Sequence, residues 1–218
     1  MPRKRVPYTR PEGKRDARLI IIETEGRKTE PIYFRALRDK YSSSGVHVEI
    51  IERKTDSSNP AEVMNALDKF ADKYKIAEDD ELWMVIDRDY QAWNEKEISF
   101  VARQCHQKKG YNLGLSNPAF ELWLLLHVKY INDYSDSEKN KLFKNSRYGT
   151  RRTYLEKELS EILPGGYEKS RYNACYLIKH LDIAIKQAKE LDTNPHERWP
   201  NKLGTRVYRL AKKIKKGK

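Results

Sequence analysis

Residues 19–26 read L-I-I-I-E-T-E-G and predict a buried β-strand that ends abruptly. The run of apolar, mostly β-branched residues is typical of a strand, and the acidic and small residues after it mark its end, just before a helical pattern begins. In open α/β sheets the ligand crevice lies outside the carboxyl ends of the strands. We therefore expect Glu25 to face whatever the protein binds.

The same succession of strand and helix continues to about residue 130. Val46–Ile50 alternates as a strand would, Leu82–Ile86 predicts a second central strand, and Tyr111–Leu115 predicts a shorter one. Helical patterns lie between them, over about 29–41, 60–74 and 94–109. This alternation predicts an α/β fold with a mostly parallel sheet and helices on both faces.

Two Asn-Pro pairs predict helix starts, because proline is well tolerated in the first turn. Asn59-Pro60 opens the second of these helices, and Asn117-Pro118 opens a segment that is apolar from Ala119 to His127 apart from Glu121. A helix that is apolar all round is buried, so a charged residue inside it requires a partner.

We divide the chain into three parts. Residues 1–18 predict a basic extended arm, residues 19–130 the α/β domain, and residues 131–218 a helical extension. In the extension, helices are predicted at about 137–145, 151–163 and 170–191, with a final basic helix over about Thr205–Lys216.

Composition excludes several classes of protein. No apolar run reaches the ~18 residues that a membrane-spanning helix needs, and the basic N-terminus lacks the apolar core of a secretory signal. We therefore expect a cytoplasmic protein with no membrane partner. Cys105 and Cys175 have neither metal-ligand nor disulfide-framework spacing, so we expect two reduced thiols in partly buried helices.

The net charge of +12 is concentrated at the two ends of the chain. Residues 1–18 contain seven Lys/Arg against two Asp/Glu, and residues 198–218 contain nine against none, which leaves −2 for the remainder. Basic ends of this kind commonly engage phosphate backbones. A tail that serves only solubility is the alternative.

The candidate site consists of acids at strand ends. Asp87 and Asp89 point to the same side if the strand over 82–86 continues through them, and two such carboxylates suit a hard divalent cation. Glu25 would be a third oxygen donor or the general acid/base. A site of this kind suits phosphoryl transfer, because a divalent ion orients a phosphodiester and stabilises its developing charge.

Each of these acids also has a structural interpretation. Asp87-Arg88-Asp89 can be a polar turn with local ion pairs, and Glu121 can be a first-turn acid that faces its own helix dipole. Lys28, in Gly26-Arg27-Lys28-Thr29, lacks the spacing of a phosphate-binding loop, and we reject that interpretation.

Three blocks of the sequence read E-G-R-K-T-E-P-I-Y-F at residues 25–34, W-M-V-I-D-R-D at 83–89 and S-N-P-A-F-E-L-W-L-L-L-H at 116–127. With these blocks, and with Tyr167-Glu168-Lys169 as a weaker feature, the sequence resembles the RloB-like family, bacterial proteins tied to abortive infection. The resemblance implies a Toprim-like fold, with a glutamate after the first strand and a D-x-D pair after a later one. The sequence departs from the family pattern at Arg88-Asp89-Tyr90, because the residues that follow the D-x-D pair are commonly acidic in the family.

The resemblance and the residues together predict a Mg²⁺- or Mn²⁺-dependent endonuclease on RNA, tRNA included, or DNA, an effector of phage defence. The resemblance also implies an AAA or ABC-type ATPase partner. In this interpretation Glu25, Asp87 and Asp89 are catalytic and Glu121 joins them as a metal ligand or supports them. We assign phosphate-backbone contacts to Arg27, Lys28, Arg88, Lys169, Arg206, Arg209, Lys212 and Lys213.

Two rival hypotheses remain open from the sequence. The first is a non-catalytic nucleic-acid-binding or sensor subunit, whose acids bind a structural ion or form salt bridges. The second is an effector that an ATPase complex holds inactive until a phage trigger releases it.

Overall fold

The computed structural model describes residues 17–41, 45–51, 60–74, 76–88, 95–150 and 152–216, and within them it confirms the mixed α/β fold. The strands are β1 (Arg18–Thr24), β2 (Val46–Ile50), β3 (Glu81–Asp87), β4 (Tyr111–Asn117), β5 (Arg147–Tyr148), β6 (Arg152–Thr153) and β7 (Gly204–Thr205). The helices are α1 (Thr29–Tyr41), α2 (Pro60–Tyr74), α3 (Glu95–Gln107), α4 (Phe120–Leu125), α5 (Asp136–Lys144), α6 (Tyr154–Ile162), α7 (Ala174–Ile178), α8 (Leu181–Leu191) and α9 (Val207–Lys216).

The main sheet has the strand order β2-β1-β3-β4-β7. Its first four strands are parallel, and β7 runs antiparallel to β4 at the edge. Thr24 pairs with Val85, and Asp87 pairs with Ser116. The carboxyl ends of β1, β3 and β4 therefore lie side by side, as the sequence predicts.

Helices cover both faces of this sheet. Because successive side chains of a strand point to opposite faces, Ile20 and Ile22 join a buried cluster with α1, α4 and α9, whereas Ile21 joins a second cluster with α2 and α3. The apolar run of β1 thus serves two cores at once. This double burial explains why the strand reads as continuously apolar rather than alternating.

The second Asn-Pro pair does not start a helix, and that prediction is wrong. Asn117 is the last residue of β4, the Asn117–Pro118 peptide is cis, and α4 begins only at Phe120. The side-chain amide of Asn117 donates to the carbonyl of Pro200 at 2.8 Å instead of capping a helix. The helix is also shorter than predicted, but every residue of it is buried, as expected.

The C-terminal part differs from its prediction in detail. The single helix expected over 170–191 is two helices, α7 and α8. Thr205, the first residue expected in the last helix, belongs to β7, and α9 begins at Val207. Leu155, Leu177 and Val207 belong to the same buried cluster as Ile20. The domain boundary at residue 130 stays a prediction, since side chains from both sides of it share one core. Nowhere in the described ranges is a helix both long enough and apolar enough to cross a membrane.

Both cysteines are free thiols. Cys105 is buried on α3, and burial raises the pKa of its thiol to about 12. Cys175 is exposed on α7, so the expected partial burial does not hold for it.

Candidate active site

Glu25 and Asp87 lie next to each other at the carboxyl ends of β1 and β3. The backbone N–H of Glu25 donates to the carbonyl of Val85 at 2.9 Å, which extends the strand pairing by one residue. The backbone N–H of Asp87 then donates to Oε2 of Glu25 at 3.0 Å. Two acids that are 62 positions apart in sequence are thereby held together by backbone geometry.

The carboxylate of Asp87 is short of compensating contacts. Its Oδ1 atom is buried and has no hydrogen-bond partner among the residues that the structure describes. Burial, followed by the negative charges of Glu25, Glu30 and Glu121, raises the pKa of Asp87 well above its ordinary value, and the positive charge of Lys169 opposes this only in part. An ionised Asp87 therefore needs a cation to stabilise it.

Glu30 completes the group of acids from the first turn of α1. It is buried, and its Oε1 accepts from the backbone N–H of Gly26 at 3.0 Å. A Cβ atom at position 26 would overlap this carboxylate, so a larger residue there would displace Glu30 from its present position. Burial, with the charges of Glu121 and Glu25, raises the pKa of Glu30 to about 7.

Glu121, the second residue of α4, is buried and has a partner of its own. Its Oε1 accepts from the hydroxyl of Tyr167 at 2.8 Å, and that hydroxyl lies 3.4 Å from Oγ1 of Thr29. This contact ties α4 and the segment around residue 167 to the start of α1. We call Glu25, Glu30, Asp87 and Glu121 the acid cluster.

Lys169 supplies a positive charge beside the acid cluster. Its carbonyl accepts from the hydroxyl of Thr29 at 3.2 Å, and its Nζ pairs with Oε1 of Glu156 at 3.1 Å. Burial lowers the pKa of Lys169, but the charges of Glu121, Glu156 and Asp87 outweigh it, so the net shift is upward. The ammonium group is thus held charged, and 63% of the side chain is exposed.

The predicted metal site can be compared only in part with the structure. Asp89 lies outside the described residues, so its pairing with Asp87 stays a prediction. Within the described ranges, no three His, Cys, Asp or Glu side chains are grouped as a ready set of metal ligands. Glu25 and the buried oxygen of Asp87 nevertheless fit Mg²⁺ or Mn²⁺, because such ions are held by one or two carboxylates together with waters and substrate phosphates.

The predicted phosphate-binding residues nearest the acid cluster differ in accessibility. Arg27 and Lys28 are exposed in the loop between β1 and α1. Arg88 follows Asp87 directly, but it is only 8% exposed, and its backbone N–H donates to the carbonyl of Ser116. Arg27, Lys28 and Lys169 are therefore better placed than Arg88 to meet a phosphate.

Arg206 does not suit the predicted phosphate contact. It is 3% exposed, and its guanidinium binds both carboxylate oxygens of Asp192 at 3.0–3.2 Å and the carbonyls of Asn194 and Glu197. Arg209 is half-buried and also donates to Asp192, at 3.0 Å. The N–H donors of Arg206 are already used inside the fold, so we remove Arg206 from the expected nucleic-acid interface.

Lys212 and Lys213 lie far from the acid cluster. Nζ of Lys213 pairs with Oε1 of Glu81 at 2.8 Å. Glu81 is the first residue of β3 and Asp87 is the last, so the two ends are about 20 Å apart at ~3.3 Å per residue. The lysines near the end of α9 thus lie at the amino ends of the strands, whereas the acids lie at the carboxyl ends.

Nearly the whole chain matches one known protein family. Residues 20–214 match the model of a family described as RloB-like protein. The chain belongs to the RloB-like family. No curated protein and no solved structure matches it. The RloB-like match extends through the C-terminal helices, so it includes Tyr167 and Lys169 as well as the acid cluster.

Two residues of the site in this RloB-like chain, Glu30 and Tyr167, have no role in the site predicted from the sequence. Glu30 lies in the first quoted block, four residues after Gly26, and an acid in the first turn of a helix is a signal for contact with free backbone N–H groups. Tyr167 carries no such local signal, because its partner Glu121 is 46 positions away in sequence.

Proposed function

We propose that this RloB-like protein is a Mg²⁺- or Mn²⁺-dependent phosphodiesterase, a nuclease on RNA, tRNA included, or DNA. One observation carries the proposal. The carboxylate of Glu25 accepts a hydrogen bond from the backbone N–H of Asp87, and the buried Oδ1 of Asp87 has no hydrogen-bond partner among the described residues. A carboxylate in that state requires either a proton or a cation. Its position at the carboxyl ends of parallel strands is where α/β proteins bind ligands.

The residues take distinct roles in this proposal. Asp87 and Asp89 would hold the metal, with Glu25 as acid/base or further ligand and Glu121 in support. A divalent ion bound there supplies Lewis-acid chemistry, since it orients the phosphodiester, stabilises developing charge and lowers the pKa of an attacking water.

The chain itself supplies the positioning. Lys169 presents an exposed ammonium beside the acids and suits a non-bridging phosphate oxygen. The contact of Tyr167 with Glu121 and Thr29 fixes the segment that carries this lysine. The exposed Arg27 and Lys28 extend the positive surface towards a neighbouring phosphate.

A cleavage assay tests the proposal. Labelled tRNA, single-stranded RNA, and single-stranded and duplex DNA are incubated with Mg²⁺, with Mn²⁺ and with a chelator. We expect cleavage only with metal, and a loss of about a hundredfold or more in kcat/KM for Asp87→Asn and Glu25→Gln, because mutation of even the outer partners of metal ligands costs about 10–100-fold. Circular dichroism and thermal unfolding check that both variants fold.

The matched control is Asp136→Asn, which removes a carboxylate from the exposed start of α5. It should leave cleavage unchanged. Equal cleavage by the parent and the Asp87→Asn protein would overturn the assignment.

We also propose that the protein is an effector of bacterial phage defence with an AAA or ABC-type ATPase partner. The support is membership of the RloB-like family together with the resemblance of its motif blocks. Cells that carry the chain together with an ATPase partner of this kind should resist phage, and Asp87→Asn should abolish the resistance. Resistance that survives Asp87→Asn would argue against an effector nuclease.

A second candidate is a non-catalytic nucleic-acid-binding subunit. One observation favours it: Gly26 and Tyr167 already donate to Glu30 and Glu121, as expected for acids that stabilise the fold. It predicts salt-sensitive binding that survives chelation and no turnover with any metal.

A further inference from the structure

A groove lies at the amino ends of the strands, on the edge of the sheet opposite the acid cluster. It has a volume of about 560 Å³ and is lined by Arg18, Gly45, Val46, Lys213 and Lys216. Three of these five residues are cationic, and they come from β1 and from α9. We call it the basic groove.

The basic groove carries more positive charge than its acid can balance. Oε1 of Glu81 forms ion pairs with Nη1 of Arg18, at 3.2 Å, and with Nζ of Lys213, at 2.8 Å. One carboxylate neutralises one of these two cations, and Lys216 adds a third. The Nε atom of Arg18 is also buried without an acceptor among the described residues. A concave surface with surplus donors and positive charge suits an anionic ligand.

A patch of lysines continues this charge along the helices. Lys212 and Lys216 are one turn apart on α9 and share a face, and Lys189 of α8 lies beside Lys212. Burial first, and then the charges of Lys189 and Lys216, lower the pKa of Lys212, in keeping with three like charges near one another. None of the three has an acidic partner in the described part of the chain, whereas nearby Lys215 pairs with Asp182.

The surroundings favour a nucleic-acid backbone over a membrane. A helix that binds a membrane surface must offer an apolar face to the lipid. The apolar face of α9, which includes Val207, Leu210 and Ile214, is buried against the core. The lysines can therefore act only through their charge, and regularly spaced phosphates are the partner that charge alone recognises.

We propose that the basic groove, together with Lys189 and Lys212, is an exosite for the phosphate backbone of a nucleic acid. Residues 1–16 precede the groove residue Arg18 in sequence and contain six Lys/Arg. As a site for the substrate of the enzyme, the exosite rests on the proposed nuclease function. As a binding surface it can be measured independently.

The position of the exosite implies a dependence on substrate length. It is about 20 Å from the acid cluster, and a nucleic-acid strand advances ~3.4 Å per nucleotide along a duplex axis. A strand in duplex geometry must be longer than about six nucleotides to reach both sites, and a dinucleotide is too short in any conformation. Long substrates therefore gain affinity from the exosite, and very short ones do not.

The test compares two triple variants with the same loss of charge. Lys189→Gln/Lys212→Gln/Lys216→Gln removes the unpaired lysines, and Lys139→Gln/Lys141→Gln/Lys144→Gln removes three from α5. Binding of labelled 30-nucleotide RNA and DNA is measured with a chelator over a range of salt concentrations. Each lost phosphate contact reduces the magnitude of the slope of log K against log [salt] by ~0.7 for single strands. The slope of the first variant should therefore be smaller by about 2 than that of the parent. Its affinity at 0.1 M salt should be lower by roughly tenfold or more.

The control triple should keep the parent slope, and thermal unfolding should show that both triples are folded. Equal slopes for all three proteins, or equal losses in both triples, would overturn the exosite. Retained nucleic-acid binding with lost binding to phosphatidylserine vesicles would overturn it in favour of a lipid surface. In cleavage assays, a 30-nucleotide substrate should show a raised KM in the first triple and a dinucleotide substrate should not. Absence of all cleavage by the parent would count against the nuclease alone, because the binding slopes still measure the exosite.

Discussion

Asp87 and Asp192 are two acids with buried carboxylate oxygens in opposite surroundings. Asp192, at the end of α8, receives the guanidinium of Arg206, an N–H of Arg209 and the hydroxyl of Tyr208 at 3.0 Å. Asp87 has a buried oxygen with no partner in the described part of the chain. The first is a satisfied structural carboxylate, and the second is an acid that the fold leaves unsatisfied.

The pKa values of the two acids shift in opposite directions. Burial alone would raise the pKa of Asp192, but the bonds and charge of Arg206, with Tyr208 and Arg209, lower it. For Asp87, burial and neighbouring acids act together and raise the pKa. Burial therefore does not mark a functional carboxylate by itself. The sign of the charges around it does.

The largest effect is expected from Asp192→Ala. Removal of this acid leaves the guanidinium of Arg206 buried and unpaired, which costs about 3–5 kcal/mol of unfolding free energy. Denaturant unfolding at pH 7 measures it. The control is Asp182→Ala, which breaks an exposed pair with Lys215 and should cost below about 1 kcal/mol. Similar losses for the two variants would contradict the structural role of Asp192.

The next effect is a pH dependence that Glu30 imposes. Its pKa is about 7 in the folded protein against 4.5 ordinarily, so the folded state binds the proton more tightly than the unfolded state does. The stability from Glu30 is full below pH 4.5 and falls as the pH rises to about 7, by on the order of 3 kcal/mol. Asp192, with a lowered pKa, gives the opposite trend and loses stability only as the pH falls below its ordinary value of 3.8.

Glu30→Gln should remove the decline between pH 4.5 and 7, since the amide oxygen still accepts from Gly26. Unfolding free energies of the parent and the variant, measured without divalent metal, test this. Parallel pH curves for the two proteins would show that Glu30 is not the group responsible.

The contrast between the two acids also shows what sequence can predict about the site. Glu25 and Asp87 follow apolar strands, and parallel strands bring their carboxyl ends to one edge, so their proximity was predictable. The pairing of Asp192 with Arg206 depends on a loop that folds back across 14 residues, and no periodic pattern reports it. Sequence therefore shows Arg206 only as one more positive charge near the C-terminus. Asp192 neutralises the charge of Arg206 but lies before residue 198, so the charge count of residues 198–218 does not include it.

The same reasoning applies to the fold. The strands β1 to β4 and the helices between them follow from hydrophobic patterns, because each buries several apolar residues. The strands β5, β6 and β7 have two residues each, which is too short for a periodic signal. The helix start predicted at Asn117 is wrong because an Asn-Pro pair has the same letters before a helix and at the end of a strand. Only the contact of its side chain with Pro200 distinguishes them.

The smallest effect, and the one that tests the comparison most sharply, is the isosteric change of both acids to asparagine. Asp87→Asn removes a buried carboxylate whose neighbouring acids outweigh the single positive charge of Lys169, so the metal-free protein should gain about 1 kcal/mol at pH 8, or about 2–4 °C in Tm. Asp192→Asn should lower Tm, because it removes the charge that Arg206 and Arg209 require. Mg²⁺ or Mn²⁺ should raise the Tm of the parent and of Asp192→Asn, but not that of Asp87→Asn. If both asparagine variants lose stability and metal stabilises neither the parent nor Asp192→Asn, then Asp87 is as structural as Asp192. The non-catalytic subunit would then become the better description of the protein.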